Sequence, residues 1–228
     1  MNPLPTFLPC LTTTRRDRVG PFLADLARSE VRTIALFPTT MKPDDRWALY
    51  TDLERIPGLK VPHVHLRSDC PDDEVAWLAD RFGTEVFNVH PAASNTAYVA
   101  ESPRWLKKIY LENADALPGA EQLAVFAGVC PDFSHWEAAR RARDREYDGF
   151  DSLVRQFPPG CCHISAIREG DPNPWNGRTD HHHFVSLADF DYMTRYRDFL
   201  PPTWASLEVE NPLAEQLTAI AHLHTLLD

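Results

Sequence analysis

Short apolar, β-rich runs recur along this chain about every 20–30 residues, and that repeat constrains the fold more than any other feature. There are eight: TFLPCLT (6–12), RTIALF (32–37), KVPHVHL (60–66), EVFNVH (85–90), KIYLEN (108–113), LAVFAGVC (123–130), GCCHISAI (160–167) and ASLEVEN (205–211). Near-continuous apolar strands suit a parallel sheet covered on both faces. Amphipathic segments with helical spacing lie between most of them: PFLADLARSE (21–30), DDRWALYTDLERI (44–56), DDEVAWLADRFG (72–83), FDSLVRQF (150–157), LADFDYMTRYRDF (187–199) and PLAEQLTAIAHLHTLL (212–227). Strand and helix alternating eight times read as an α/β (β/α)8 TIM barrel. The 228 residues give a compact version, and SPRWLKK (102–108) leaves only a short or missing helix after strand four. No linker or low-complexity tract interrupts residues 1–228, so a single domain is expected.

Composition narrows the function classes. The chain carries 23 Lys+Arg against 33 Asp+Glu, a formal charge of −10, which argues against bulk electrostatic binding of nucleic acid. No run approaches the roughly 18 apolar residues of a membrane span, and the N-terminus has no basic start followed by an apolar stretch. Five cysteines (Cys10, Cys70, Cys130, Cys161, Cys162), odd in number and without a C-x-x-C, point to a reduced, cytoplasmic protein rather than a disulfide framework.

The ends of the strands carry the chemistry. Strand three ends with His63 and His65, strand four with His90 and strand five with Glu112. CPDFSH follows strand six and supplies Asp132 and His135. Strand seven carries His163, the loop after it holds Asp180 and His182, and strand eight carries Glu208 and Glu210. In a barrel these ends converge on one face. Imidazoles and carboxylates converging there suit Zn²⁺, Mn²⁺ or Fe²⁺, whose charge offsets the repulsion among the carboxylates. Glu208 and Glu210 share strand parity, as do His63 and His65, so spacing leaves both members of each pair open. A D-x-H on an extended segment and a D-x-x-H on a first helical turn each put both side chains on one side.

These residues occur in motifs that resemble endonuclease IV and the xylose-isomerase-like barrels, the group called AP endonuclease family 2. The similarity spans residues 33–213. V-P-H (61–63) resembles the family's L-P-H and points to His63; F-N-V-H-P (87–91) resembles L-N-F-H-P and points to His90. Y-L-E-N (110–113) is similar to V-I-E-N and gives Glu112; G-V-C-P-D-F-S-H (128–135) is similar to G-V-C-I-D-T-C-H and gives Asp132 and His135. C-H-I-S (162–165) gives His163, D-H-H-H (180–183) gives Asp180 and His182, and L-E-V-E-N (207–211) gives Glu210. The resemblance implies that these nine residues hold up to three zinc ions, with manganese or iron as alternatives, and that Glu112 and Glu210 are the central, catalytic carboxylates.

Two departures bear on the substrate. The family's Gly-Glu-Gly element after strand seven is absent, and its Gly-Ser-His after the strand-four histidine is Ala-Ala-Ser here (92–94). The expected activity is therefore metal-dependent hydrolysis of a phosphoester, either of DNA or of a smaller nucleotide or sugar phosphate, with Arg67, Arg168 and Arg178 as substrate-binding cations. In the connection after strand two, where the resemblance implies DNA contact, helical spacing fits Trp47 and Tyr50 first as core residues, with Arg46, Trp47 and Tyr50 as analogues of intercalating groups the alternative. The alternative is a single-metal sugar isomerase or epimerase using Glu112, Asp132, His163 and Glu210. A non-catalytic metal-binding barrel is the third reading. Trp105, Trp136 and Trp175 are left open between core, substrate-lining and interface roles.

Overall fold

A computed structural model describes residues 3–91, 103–114, 116–174 and 177–228; Trp175 and the Ala-Ala-Ser stretch at 92–94 lie outside the described residues. The strands are β1 (Thr6–Thr12), β2 (Thr33–Phe37), β3 (Lys60–His65), β4 (Val86–Val89), β5 (Ile109–Glu112), β6 (Gly128–Cys130), β7 (Cys161–Ile164), β8 (Ala166–Ile167), β9 (Asp180–His181) and β10 (Trp204–Leu207). The α-helices are α1 (Arg16–Arg28), α2 (Pro43–Glu54), α3 (Asp72–Phe82), α4 (Ala120–Val125), α5 (Phe133–Ala142), α6 (Phe150–Gln156) and α7 (Leu213–Leu227).

Eight strands form one parallel sheet in the order β6-β5-β4-β3-β2-β1-β10-β7. Its two edges meet at a single parallel bridge between Asp132 and His163, where the His163 amide donates to Pro131 O at 3.0 Å. The result is a nearly closed (β/α)8, TIM-barrel-like fold. Between β4 and β5 the described residues include one 3₁₀ segment, Pro103–Lys108; residues 92–102, the rest of the connection after strand four, lie outside the described residues.

Strand alternation separates two cores. Phe7, Leu11, Ile34 and Leu36 point outward into the large apolar layer beneath the helices. Leu8, Cys10, Ala35 and Phe37 point inward and fill the barrel. Phe37 is the upper limit of this plug, because its ring packs against the His63, His65 and His163 rings at centroid distances of 5.3, 5.7 and 4.5 Å. Above it the barrel interior turns polar.

Four element boundaries differ from the sequence reading. The run at 123–130 is strand only from Gly128; Ala120–Val125 is helical, its start fixed by Gln122 Oε1 accepting from the Gly119 amide at 3.0 Å. The run at 160–167 breaks at Ser165, and Ala166–Ile167 leaves the barrel to pair antiparallel with Asp180–His181. The last barrel strand stops at Leu207, so Glu208 and Glu210 lie past its end. Leu187–Phe199 winds as 3₁₀ rather than α-helix. No helix among the described residues is long and apolar enough to cross a membrane.

Candidate metal centre

Each site residue is delivered by the end of a strand or by the first turn after it. His65 closes β3 and Glu112 closes β5. Asp132 caps α5, its Oδ1 accepting from the Ser134 amide at 2.8 Å and the His135 amide at 3.0 Å. That cap fixes the Asp132–His135 pair on one turn, the geometry the D-x-x-H spacing requires. Asp180 is brought in by the short β8–β9 hairpin, a connection the apolar pattern did not reveal. Together these residues line a cavity of about 710 Å³ at the C-terminal end of the barrel, with His65, His90, Glu112, His135, Asp180, His182, Glu208 and Glu210 on its walls.

Glu112 is the centre of the arrangement and is 2 % exposed. Its Oε2 lies 3.0 Å from His65 Nε2 and 3.9 Å from His90 Nε2. Its Oε1 lies 3.3 Å from His163 Nδ1, which is also 3.1 Å from Glu208 Oε2 and 4.0 Å from Asp132 Oδ2. The two carboxylate oxygens therefore face two different sets of donors: His65 and His90 on one side, His163, Asp132 and Glu208 on the other. Within ligand distance of one another stand His65, His90 and Glu112 as one group and Glu112, Asp132, His163 and Glu208 as a second. His135 adjoins the second group, with Nε2 3.7 Å from Asp132 Oδ2 and Nδ1 3.3 Å from Asp180 Oδ2.

Electrostatics match this crowding. Burial raises the Glu112 carboxyl, but the charges of His163 and His65 outweigh it and hold it well below the usual carboxylate range. Burial likewise raises Glu208, yet His182 and His163 bring it down to about 2. Burial lowers His163, and Glu112 and Glu208 more than reverse that, leaving it well above the ordinary imidazole value. His135 is lowered by burial and raised more strongly by Asp132 and Asp180, to about 10. His65 is pushed down by burial, which favours the neutral ring a metal needs.

The unsatisfied groups test whether a metal fits. Asp132 Oδ2 and both His163 ring nitrogens are buried without a hydrogen bond of acceptable geometry. Such orphans cost free energy unless something else occupies them. Four buried carboxylates (Glu112, Asp132, Asp180, Glu208) converge with imidazoles and with no thiolate at the cavity wall. That donor set fits Zn²⁺, Mn²⁺ or Fe²⁺.

The members of each candidate pair lie at different depths. His65, not His63, reaches the cavity; His63 lies one layer deeper, with Nδ1 2.7 Å from Ser206 Oγ and Nε2 3.0 Å from Asn88 Oδ1. His63 also lies within ligand distance of Cys130 and His163, but both of its nitrogens are already engaged. Glu208 joins the buried group and Glu210 does not: both line the same wall, as shared parity requires, but Glu208 lies deeper, its amide still donating to Ile164 O at 2.9 Å, while Glu210 is half-buried toward the mouth. Glu210 lines the cavity wall and gives its amide to His182 O at 2.6 Å.

Of the three arginines expected to meet substrate, Arg168 pairs with Asp171 and does not line the cavity. Arg178, 3.1 Å from Asp144, borders an adjoining cavity of about 330 Å³ that shares His135. Arg67 borders a shallow pocket with His65 and His90 and pairs with Asp69 at 3.1 Å. Arg15, which sequence reasoning missed, lines the main cavity from the first turn after β1. Arg46 is fully buried: Nε lies 2.7 Å from Glu74 Oε1, and the Tyr50 hydroxyl donates to the same oxygen at 2.8 Å. Neither can intercalate; Trp47 alone of that trio is 37 % exposed. Trp105 and Trp136 pack in or against the apolar layer.

No family model and no curated protein matches the chain. Among solved structures it is similar to an uncharacterised protein from Parabacteroides distasonis ATCC 8503, with a TM-score of 0.50 and 13 % identity over 96 % of this chain and 98 % of that one. At that identity the likeness supports the fold alone.

Proposed function

We propose that this protein is a metal-dependent phosphoesterase with a polynuclear centre, the ions being zinc, or manganese or iron in its place. The observation that carries the reading is Glu112, whose two oxygens face two separate donor groups 3.0 and 3.3 Å away, so that one carboxylate would serve both groups. His65 and His90 would complete one position. Asp132, His163 and Glu208 would complete another, and His135, Asp180 and His182 provide donors for a third. Bound divalent cations would supply Lewis acidity toward phosphoryl oxygens and lower the pKa of a coordinated water. Around them the chain's own groups do the rest. Glu112 and Glu208, both held below the usual carboxylate range, would orient a nucleophile's proton, and Arg15 on the cavity wall and Arg67 in the adjoining pocket would offer donors to the remaining anionic oxygens of a phosphoester. A cavity of about 710 Å³ has room for a nucleotide or sugar phosphate.

A second reading is favoured by a different feature. Glu112, Asp132, His163 and Glu208 form a compact, fully buried set of four, enough to hold one ion for a sugar isomerase or epimerase. The two readings separate on one assay: zinc-loaded protein is offered bis(p-nitrophenyl) phosphate and abasic-site DNA in one series and a panel of ketoses in another. Chelator-sensitive phosphoester cleavage supports the first reading. Ketose–aldose interconversion or epimerisation without cleavage overturns it in favour of the second.

A further inference from the structure

Below the cavity floor, hydrogen bonds run from one wall of the barrel to Glu112. Asn88 Nδ2 donates to Glu112 Oε2 at 2.6 Å. A carboxylate can only accept here, so the amide nitrogen must face Glu112 and the amide oxygen must face away. That oxygen lies 3.0 Å from His63 Nε2. It carries no proton, so the His63 hydrogen must sit on Nε2 and the Nδ1 lone pair is free to accept. Ser206 Oγ, 2.7 Å from Nδ1, supplies the donor. Ser206, His63 and Asn88 are all wholly buried, and they come from β10, β3 and β4. Each link fixes the proton position of the next, and the sequence ends on the oxygen of Glu112 that faces His65 and His90.

We propose that Ser206, His63 and Asn88 form a one-way hydrogen-bond chain that locks the rotation of the Glu112 carboxylate, so that its two oxygens stay turned toward two different cation positions. The inference rests on the metal-centre reading above. In it His63 and Asn88 are positioning residues and not ligands. The Asn88 bond engages Oε2 from below, and His65, His90 and Glu112 would still be able to hold a cation together. The deeper group of His63, Cys130 and His163 is disfavoured as a metal position because both His63 nitrogens are engaged. Conserving the orientation of a ligating carboxylate through its hydrogen-bond partner is worth about 10–100-fold in metal affinity in sites of this kind.

The test has two independent readouts on the full-length chain. Long-range ¹H–¹⁵N correlation of ¹⁵N-histidine protein, with His63 assigned through a His63→Gln variant, reports which ring nitrogen is protonated. A proton on Nε2 and none on Nδ1 is expected; a proton on Nδ1, or on both, overturns the chain. Competition with a chromophoric zinc chelator then measures zinc affinity in Asn88→Ala. A loss of about 10–100-fold is expected. Thr84→Val removes buried hydrogen bonds at the far end of the barrel and controls for general destabilisation. Unchanged zinc affinity in Asn88→Ala, or an equal loss in Thr84→Val, overturns the positioning role. If Asn88→Ala fails to fold, Ser206→Ala keeps Asn88 in place and should show a loss of about tenfold in the same assay. A wild-type chain that binds no zinc would overturn the metal centre itself, and the His63 proton pattern tells that failure apart from failure of the chain.

Discussion

His65 Nε2 stands 3.0 Å from Glu112 Oε2, on the side of the carboxylate turned away from His163. That placement divides the polar end of the barrel into two donor groups with one shared member. Deleting either side should therefore remove one ion and leave the other. His65→Ala and His90→Ala are each expected to bind one zinc equivalent fewer than wild type and to lose phosphoester cleavage by at least about 100-fold, while the group of Asp132, His163 and Glu208 still loads. Equilibrium dialysis followed by elemental analysis checks the count. Unchanged stoichiometry in both variants would rule out a cation at that position.

Glu208 and Glu210 should respond differently to the same change. Glu208 is buried within reach of His163, whereas Glu210 stands on the cavity wall. Glu208→Gln is expected to weaken zinc binding by two orders of magnitude or so, and Glu210→Gln by less than about tenfold. The comparison needs only the chelator titration, and a reversed order would return Glu210 to the metal.

The pH dependence of stability has two arms. Burial raises the Glu137 carboxyl, but hydrogen bonds from Arg140, Arg141 and Tyr196 bring it down to about 2. Its contribution is present above the ordinary carboxylate value of 4.5 and is lost as pH falls toward 2. His135 runs the other way. Raised from 6.5 to about 10, it stabilises the metal-free chain fully below pH 6.5, and that contribution disappears as pH rises through 10. Thermal denaturation of metal-free protein should therefore show Tm falling on both sides of pH 4.5–6.5. Zinc should abolish the alkaline arm, because a ligating His135 is already deprotonated, and leave the acid arm of Glu137 in place. An alkaline arm of the same size with and without zinc would mean that His135 is not a ligand.

The barrel seam offers a stability test away from the metal. Gly128 opens β6 at φ 151°, and a Cβ there would come within 2.6 Å of the Pro158 carbonyl oxygen. Gly128→Ala is expected to cost about 2–3 kcal/mol, a Tm drop on the order of 4–10 °C for a chain of this size. Differential scanning calorimetry reads it directly. A drop below about 1 °C would mean that the seam yields without strain.

Arg46 tests the nucleic-acid expectation from the opposite direction. It is paired with buried Glu74 and with partly exposed Asp69, so Arg46→Ala should cost about 3–5 kcal/mol by stranding the Glu74 carboxylate. Any DNA affinity of the folded protein should be unaffected, measured by fluorescence anisotropy on an abasic-site duplex below the variant's melting point.

How far the sequence reached depends on where periodicity holds. β1 (Thr6–Thr12) matches its apolar run residue for residue, because all but one of its side chains are buried on one face or the other. The run at 123–130 misled because an apolar stretch spanning a helix end and a strand start has no single period, and only the Gly128 backbone marks the change. His63 and His65 share one face of β3, so spacing could not say which sits at the cavity and which in the layer below. Glu208 and Glu210 likewise face one cavity, as parity requires, and spacing could not say which of them lies deeper. α5 (Phe133–Ala142), absent from the helical pattern, was still implied locally by the D-x-x-H turn at its start. Arg15 carried no signal, because a loop arginine beside Arg16 and Arg18 looks like surface charge until the barrel brings it to the cavity.

The most direct test of the central claim is the metal content of the chain. Protein prepared without an affinity histidine tag, stripped with chelator, reloaded with excess zinc and desalted would be assayed by elemental analysis against its own sulfur. A Glu112 shared between two donor groups predicts two or three equivalents per chain, falling to one or fewer in Glu112→Ala. One equivalent or none in the wild-type chain would contradict it.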